Sequence, residues 1–171
     1  RNGGQLSLVG EAPSGSSPKS VAFLPDGRLV VPLLRGAGID VYRTDPFRRI
    51  DTVELPGGTD SFGFVEPLIL PDRGELWVTQ MTDDRIHRLR LPELDPAGSL
   101  PAGGSWPKVL AADPGERHLH VSNWESETIT VFDLDTSTKV ATVALSWQPR
   151  GMTFTHGGRY LWVCIFGTGD I

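Results

Sequence analysis

The sequence has little cysteine, no long apolar run and no excess of basic residues, and each shortage excludes a class of protein. A single cysteine among 171 residues rules out an internal disulfide framework. No Cys-x-x-Cys pair occurs, so neither a thiolate zinc clip nor a covalently attached c-type haem is expected, and the sequence predicts no cofactor. No run of about 18 apolar residues occurs, which predicts that no transmembrane helix is present. The 16 basic and 21 acidic residues give a net charge of −5, which argues against nucleic acid as a partner.

Glycine and proline, by contrast, are abundant. The 20 glycines and 14 prolines make up about a fifth of the chain, against roughly 12% in an average protein. Hydrophobic residues still account for 39%, which is enough to bury a core in a chain of this length. No stretch carries a helical period. The composition therefore predicts many short strands that are joined by tight turns.

The sequence contains four copies of one repeat. Two independent anchor positions, a leucine and an isoleucine, recur with the same spacings of 47, 43 and 42 residues. Because both anchors keep the same spacings through all four copies, the repeat is the unit from which we predict the fold. The anchors are Leu29, Leu76, Leu119 and Leu161, and Ile39, Ile86, Ile129 and Ile171.

Each repeat is predicted to form four β-strands. A short apolar stretch meets a turn rich in Pro, Asp and Gly, and an alternating run such as Leu76-Trp77-Val78-Thr79 follows it. Four strands in roughly 40–45 residues are typical of a β-propeller blade, and Trp77, Leu119 and Trp162 are expected to pack between blades. The prediction is an all-β propeller of four-stranded antiparallel blades, about three and a half in number: an orphan strand at 5–9, blades at 18–63, 64–106 and 107–148, and an incomplete blade at 149–171.

The repeat resembles the YVTN-type β-propeller repeat over residues 16–171. His120-Val121-Ser122-Asn123, followed by Thr128-Ile129-Thr130-Val131-Phe132, carries the resemblance, and Trp77-Val78-Thr79-Gln80 is a second copy of the signature. The resemblance implies part of a seven-bladed ring and a place among surface-layer or periplasmic propellers. Lactonase-like propellers and the propellers of quinoprotein dehydrogenases border on this family. With the single cysteine, the resemblance implies a periplasmic, extracellular or cell-surface location.

The repeats leave open how the ring is closed. Propellers close by pairing their first and last strands in one blade, because an open ring exposes strand edges. In one interpretation the chain is part of a larger ring. In the other, the orphan strand completes the fourth blade, or two chains close one ring together.

Three basic residues occupy equivalent positions just before the innermost strands of their repeats. Lys19, Lys108 and Arg150 are therefore expected at one mouth of the central channel, where clustered cations can hold a carboxylate or phosphate. Glu66 interrupts this position in the second repeat. Equally, solvated basic residues at turns need no ligand. Two loop residues of the same predicted face, Arg35 and Trp124, join the candidate ligand-binding set, although Trp124 can also cover a seam between blades.

Other reactive residues give weaker patterns, and the sequence predicts no metal site. Asp83 with Asp84 and Glu125 with Glu127 lack the spacing of a calcium loop. The pair His118 and His120 has a spacing that can bind zinc, but His120 aligns with Trp77, an inter-blade packing position. Cys164 aligns with Thr79 and Ser122 inside a strand, which predicts a small buried thiol.

Three functions fit these residues. The first is a non-catalytic binding or scaffold module of the cell envelope or secreted space, whose channel-mouth face recognises a partner protein or an envelope ligand. The second is a lactonase-like hydrolase, for which Arg150, Lys108 and Glu66 form the only group that could supply a polarising cation and a general base. The third is a propeller subunit of a redox complex with quinone or haem. No catalytic motif is found, which favours the first.

Overall fold

The fold consists of short antiparallel strands. The computed structural model describes residues 7–57 and 63–171, and within them fourteen strands and one 3₁₀ turn (Pro71–Arg73) are formed. The strands are β1 (Ala22–Phe23), β2 (Leu29–Pro32), β3 (Gly38–Thr44), β4 (Phe47–Glu54), β5 (Phe64–Leu70), β6 (Glu75–Gln80), β7 (Arg85–Arg90), β8 (Asp95–Pro101), β9 (Pro107–Ala112), β10 (His118–Asn123), β11 (Thr128–Asp133), β12 (Thr138–Ala144), β13 (Pro149–Phe154) and β14 (Leu161–Ile165).

Consecutive strands pair with one another, so each repeat makes its own sheet. The sheets are β1-β2-β3-β4, β5-β6-β7-β8, β9-β10-β11-β12 and the two-stranded β13-β14, and every pairing is antiparallel. We call these sheets blades 1 to 4. The predicted fold class, a partial β-propeller of four-stranded antiparallel blades, is confirmed.

The segment before β1 does not form the predicted orphan strand within the described residues. Ser7 to Val9 have no strand partner there, Leu8 and Val9 are 79% and 97% exposed, and residues 5 and 6 lie outside the described part. Further on, the segment is held against blade 1. The Gly15 amide donates to the buried Asp40 carboxylate at 2.7 Å, and the Tyr42 hydroxyl donates to the Pro13 carbonyl at 3.2 Å.

The hydrophobic core lies between the blades. One cluster joins blades 1 and 2 through residues such as Ile39 and Phe64, and a second joins blades 2 and 3 through Trp77 and Leu119. Trp77 is 1% exposed, and its indole nitrogen donates to Glu75 at 2.9 Å. Because each blade presents one face to its neighbour, this layer of side chains fixes the order and the curvature of the blades.

The expectation that Trp162 packs between blades is wrong for this structure. The residue lies on β14, against which no further described sheet packs, and it is 53% exposed. The equivalent position in blade 3, His120, does meet its neighbour, since its ring lies 5.0 Å from that of Phe154 in blade 4. The repeat position is thus an inter-blade position only where a next blade is present.

We predict unequal effects of the two equivalent tryptophans on the stability of this 171-residue chain. Trp77→Ala leaves a cavity between blades 2 and 3 and should lower the free energy of unfolding by about 3–5 kcal/mol. Trp162→Ala removes a half-exposed ring and should cost less than about 1 kcal/mol. Urea denaturation of both variants measures the difference, and equal losses would contradict the assignment of the inter-blade layer.

Candidate functional site

Four charged residues lie at the start of the innermost strands. Lys108 and Arg150 are the second residues of β9 and β13, Glu66 is the third residue of β5, and Lys19 precedes β1. Lys19 and Arg150, which come from the first and the fourth blade, both act electrostatically on Lys108 and on Glu66. The curvature of the blades therefore brings the four charges into one cluster, which we call the mouth cluster.

One indole ring carries two cations of the mouth cluster. The Lys108 ammonium lies 5.3 Å from the ring centre of Trp124, and the Arg150 guanidinium carbon lies 5.7 Å from it. A second indole, that of Trp106, lies 5.4 Å from the same ammonium. Trp124 also contacts Phe166 of blade 4, with the ring centres 5.0 Å apart. Trp124 thus covers the seam between blades 3 and 4 and, through cation–π attraction, places the two cations beside each other.

Burial destabilises the charged forms of Lys108 and Glu66 in the mouth cluster. Burial, and then the positive charges of Arg150 and Lys19, lower the pKa of Lys108 from 10.5 to about 8. Burial raises the pKa of Glu66, although Arg150, Lys19 and a Ser20 hydrogen bond act in the opposite direction. Within the described residues, no carboxylate lies within 4.0 Å of a nitrogen of Lys19, Lys108 or Arg150. A cluster of three cations and one carboxyl, with no close ion pair among them, is suited to an anion from outside the chain.

Buried hydroxyl groups fix the backbone that carries these cations. Thr79 Oγ1 accepts a hydrogen bond from the Glu66 amide and donates to the Lys108 carbonyl, both at 3.0 Å. In the next blade, Ser122 Oγ donates to the Arg150 carbonyl at 3.1 Å. Thr79 and Ser122 are fully buried. The hydroxyl at the third place of the repeated signature therefore ties the second strand of one blade to the first strand of the next.

Blade 1 is tied to the first strand of blade 2 by a hydroxyl from a different place in the repeat. Its signature position holds Pro32, which has no hydroxyl, and instead Ser20 on the innermost side donates to the Val65 carbonyl at 2.6 Å. Sequence reasoning missed the role of all three hydroxyls. The signal was present, because Thr79 and Ser122 align between the repeats and a hydroxyl inside a buried strand needs a partner.

The structure does not gather every predicted site residue. Arg35 is exposed in the loop between β2 and β3 and forms no ion pair with another described residue. Lys19 is also exposed, whereas Glu66, Lys108, Arg150 and Trp124 are partly buried. Residues 56–64, a glycine-rich stretch with two phenylalanines that could also line this face, fall largely on residues 58–62, which lie outside the described part.

The remaining reactive residues have structural partners. His118 Nδ1 lies 2.9 Å from the Asp113 carboxylate, and no group of three or more potential metal ligands occurs in the part of the chain that the structure describes. Asp84 accepts a hydrogen bond from the Trp106 amide at 2.7 Å, and Gln80 donates to Asp83. Cys164 is exposed, so the expectation of a buried thiol is wrong, because no described blade covers β14.

Two known proteins match the sequence over most of this chain. It is 31% identical over 157 residues to Antigen Lp49 of Leptospira interrogans, an alignment that covers 92% of this chain and 34% of that protein. It is 26% identical over 138 residues to 6-phosphogluconolactonase of Enterobacter sp., which covers 77% of this chain and 41% of that protein. The chain therefore spans well under half the length of both relatives. A scan of protein-family models found no match.

Solved structures agree on the fold. The periplasmic gluconolactonase PpgL of Pseudomonas aeruginosa superposes with a TM-score of 0.69 at 21% identity, over 88% of this chain and 43% of that one. Kuenenia stuttgartiensis hydrazine synthase superposes with a TM-score of 0.77 at 17% identity, over 98% of this chain and 47% of that one. At such identities the likeness concerns the fold alone.

No described helix is long and apolar enough to cross a membrane. The described sheets form a partial β-propeller, and the solved gluconolactonase shares this fold.

We predict that removing the Lys108 charge stabilises the fold. Lys108→Met keeps the length of the side chain between the two indoles and ends its repulsion from Arg150 and Lys19, so the free energy of unfolding at pH 7 should rise by about 1 kcal/mol. The folded state binds this proton less tightly than the unfolded chain does, so the stability of the unmodified protein rises between about pH 8 and pH 10.5 and the advantage of the variant shrinks there.

Urea denaturation at pH 7 and pH 9.5 measures this effect. Lys139→Met, at an exposed position on the outermost strand β12, is the matched control and should change stability by less than about 0.5 kcal/mol. A loss of stability in Lys108→Met would show that the ammonium supports the fold.

Proposed function

We propose that this chain belongs to a non-catalytic binding propeller that takes the anionic group of a ligand at its channel mouth. The observation that carries the proposal is the pair of cations on Trp124. Lys108 and Arg150, from neighbouring blades, lie over one ring, and no described carboxylate lies within 4.0 Å of either. In a protein with net charge −5, such a concentration of positive charge is costly for the fold and useful for a ligand.

The chemistry of the cations limits the ligand to groups such as carboxylate and phosphate. A guanidinium can donate two parallel hydrogen bonds to either group, and an ammonium adds a point charge. Such groups occur on acidic side chains of a partner protein and on anionic polymers of a cell envelope. A place in the envelope or outside the cell is supported by two names, those of a periplasmic gluconolactonase and of a leptospiral antigen.

Lactone hydrolysis is the second candidate, and one observation favours it. Glu66, a carboxyl whose pKa is raised by burial, lies in the same cluster as Lys108 and Arg150. A carboxylate in this position could take a proton from an attacking water, while the cations stabilise the negative charge that develops on the carbonyl oxygen. The relative named 6-phosphogluconolactonase gives this candidate weight, because a phosphorylated lactone would also present an anion to the cations.

We predict that inorganic phosphate binds the mouth cluster at pH 7 and low salt. Arg150→Gln should weaken binding by about tenfold, since it removes one charge-assisted contact. Affinity should fall as the pH rises above about 8, because Lys108 then loses its proton. Raising the salt concentration should weaken binding as well.

Isothermal titration calorimetry measures these affinities. Arg48→Gln, which changes an exposed residue on the outer strand β4, is the matched control and should bind phosphate normally. Absence of saturable binding, or equal weakening in the two variants, would contradict the proposal.

A separate assay decides between binding and hydrolysis. If the second candidate holds, δ-gluconolactone is hydrolysed faster with the protein than without it, and Glu66→Gln lowers that rate by about a hundredfold because the general base is lost. The binding proposal predicts no turnover above the spontaneous rate together with intact phosphate binding. Titration with alkali at constant pH follows the acid that the reaction releases.

A further inference from the structure

We propose that Lys108 is a nucleophilic amine that captures carbonyl compounds carrying an anionic group as imines. The inference rests on the anion site proposed above for the orientation of the compound, but goes beyond it in assigning a covalent step. Lys108 lies on the innermost strand β9, in the mouth cluster, and the residue remains partly exposed. The proposal requires that a compound beside the mouth cluster reach the nitrogen of this partly exposed residue.

The walls around this nitrogen are apolar. The rings of Trp106 and Trp124 lie 5.4 Å and 5.3 Å from it, on two different loops, and the sulfur of Met81 contacts it as well. The ring faces attract an ammonium and the thioether is a weak acceptor, but together they replace only part of the water that the ammonium loses on burial. The surroundings thus favour the neutral amine relative to an ordinary lysine.

The charges that face this nitrogen act in the same direction. Arg150 from β13 and Lys19 from blade 1 are both positive. Glu66 lies in the cluster without an ion pair to the ammonium, and Asp84, on the loop before β7, is engaged with the Trp106 amide. The pKa of about 8 that results leaves roughly a tenth of Lys108 neutral at pH 7, against well under a thousandth for an ordinary lysine. A lysine activated by desolvation and a neighbouring cation is a recurrent nucleophile.

The covalent step needs no further reactant. The nitrogen lone pair attacks the carbonyl carbon, and the carbonyl electron pair moves to oxygen. A proton passes from nitrogen to that oxygen through water, giving a carbinolamine. Loss of one water forms the carbon–nitrogen double bond, so amine and aldehyde become imine and water without any change of redox state. During this step Arg150 and Lys19 would hold the anionic group of the compound.

The composition of the chain makes the test sharp, because it contains only three lysines, Lys19, Lys108 and Lys139. Pyridoxal phosphate, an aldehyde with a phosphate group, is the probe. Its imine is detected by absorbance, reduced with borohydride and located by peptide mass spectrometry. We expect Lys108 to be labelled at least about tenfold faster than the exposed Lys139 at pH 7, because a larger share of it is neutral.

Two variants and one competitor complete the design. Lys108→Met should lose the fast labelling, and Lys139→Met should keep it. Inorganic phosphate should slow the labelling of Lys108 and leave that of Lys139 unchanged. If phosphate binds but Lys108 is labelled no faster than Lys139, the nucleophile is refuted while the anion site stands. If phosphate neither binds nor slows labelling, the anion site and the inference both fail.

Discussion

The hydrogen bond from a buried hydroxyl of one blade to the first strand of the next is the constraint on which this structure depends. Thr79 and Ser122 reach across the seams between blades to the carbonyls of Lys108 and Arg150. An unpaired hydroxyl at such a buried position would be costly, so each blade is held at a defined place against its neighbour. The residues whose carbonyls are held are the ones that carry the cations. The geometry that holds neighbouring blades together therefore also sets the spacing of the charges in the mouth cluster.

The fold could be predicted from the sequence because the sequence pattern is periodic. Leucine and isoleucine anchors that keep one register through four repeats, with alternating strands between them, indicate a β-propeller. The limits of that reasoning appear at Trp162 and Cys164, which occupy positions that are buried only when a next blade covers them. In a repeat protein, whether a residue is buried depends on the neighbouring repeat as well as on the residue itself. The sequence pattern within one repeat therefore does not predict burial at such a position.

The candidate site was only partly predictable. Repeat alignment placed Lys19, Lys108 and Arg150 at equivalent positions, which the curvature of the blades turns into one cluster. Nothing in the alignment indicated that the rings of Trp106 and Trp124, from two different loops, lie against the ammonium of Lys108. That contact depends on where the loops place their rings, and sequence spacing does not determine it. These rings change the chemistry, because a solvated lysine at a turn is an ordinary cation, whereas Lys108 is partly desolvated and lies beside like charges.

The central claim is that burial and neighbouring cations destabilise the ammonium of Lys108, and that a bound anion stabilises it. The titration of Lys108, followed by NMR of protein with ¹³C at the lysine ε-carbons, tests this most directly. Only three lysine signals are expected, and Lys108→Met identifies the one that matters. The account predicts a midpoint near pH 8 for that signal and a shift to higher pH when inorganic phosphate is added. A midpoint above about 10 that phosphate leaves unchanged would contradict it.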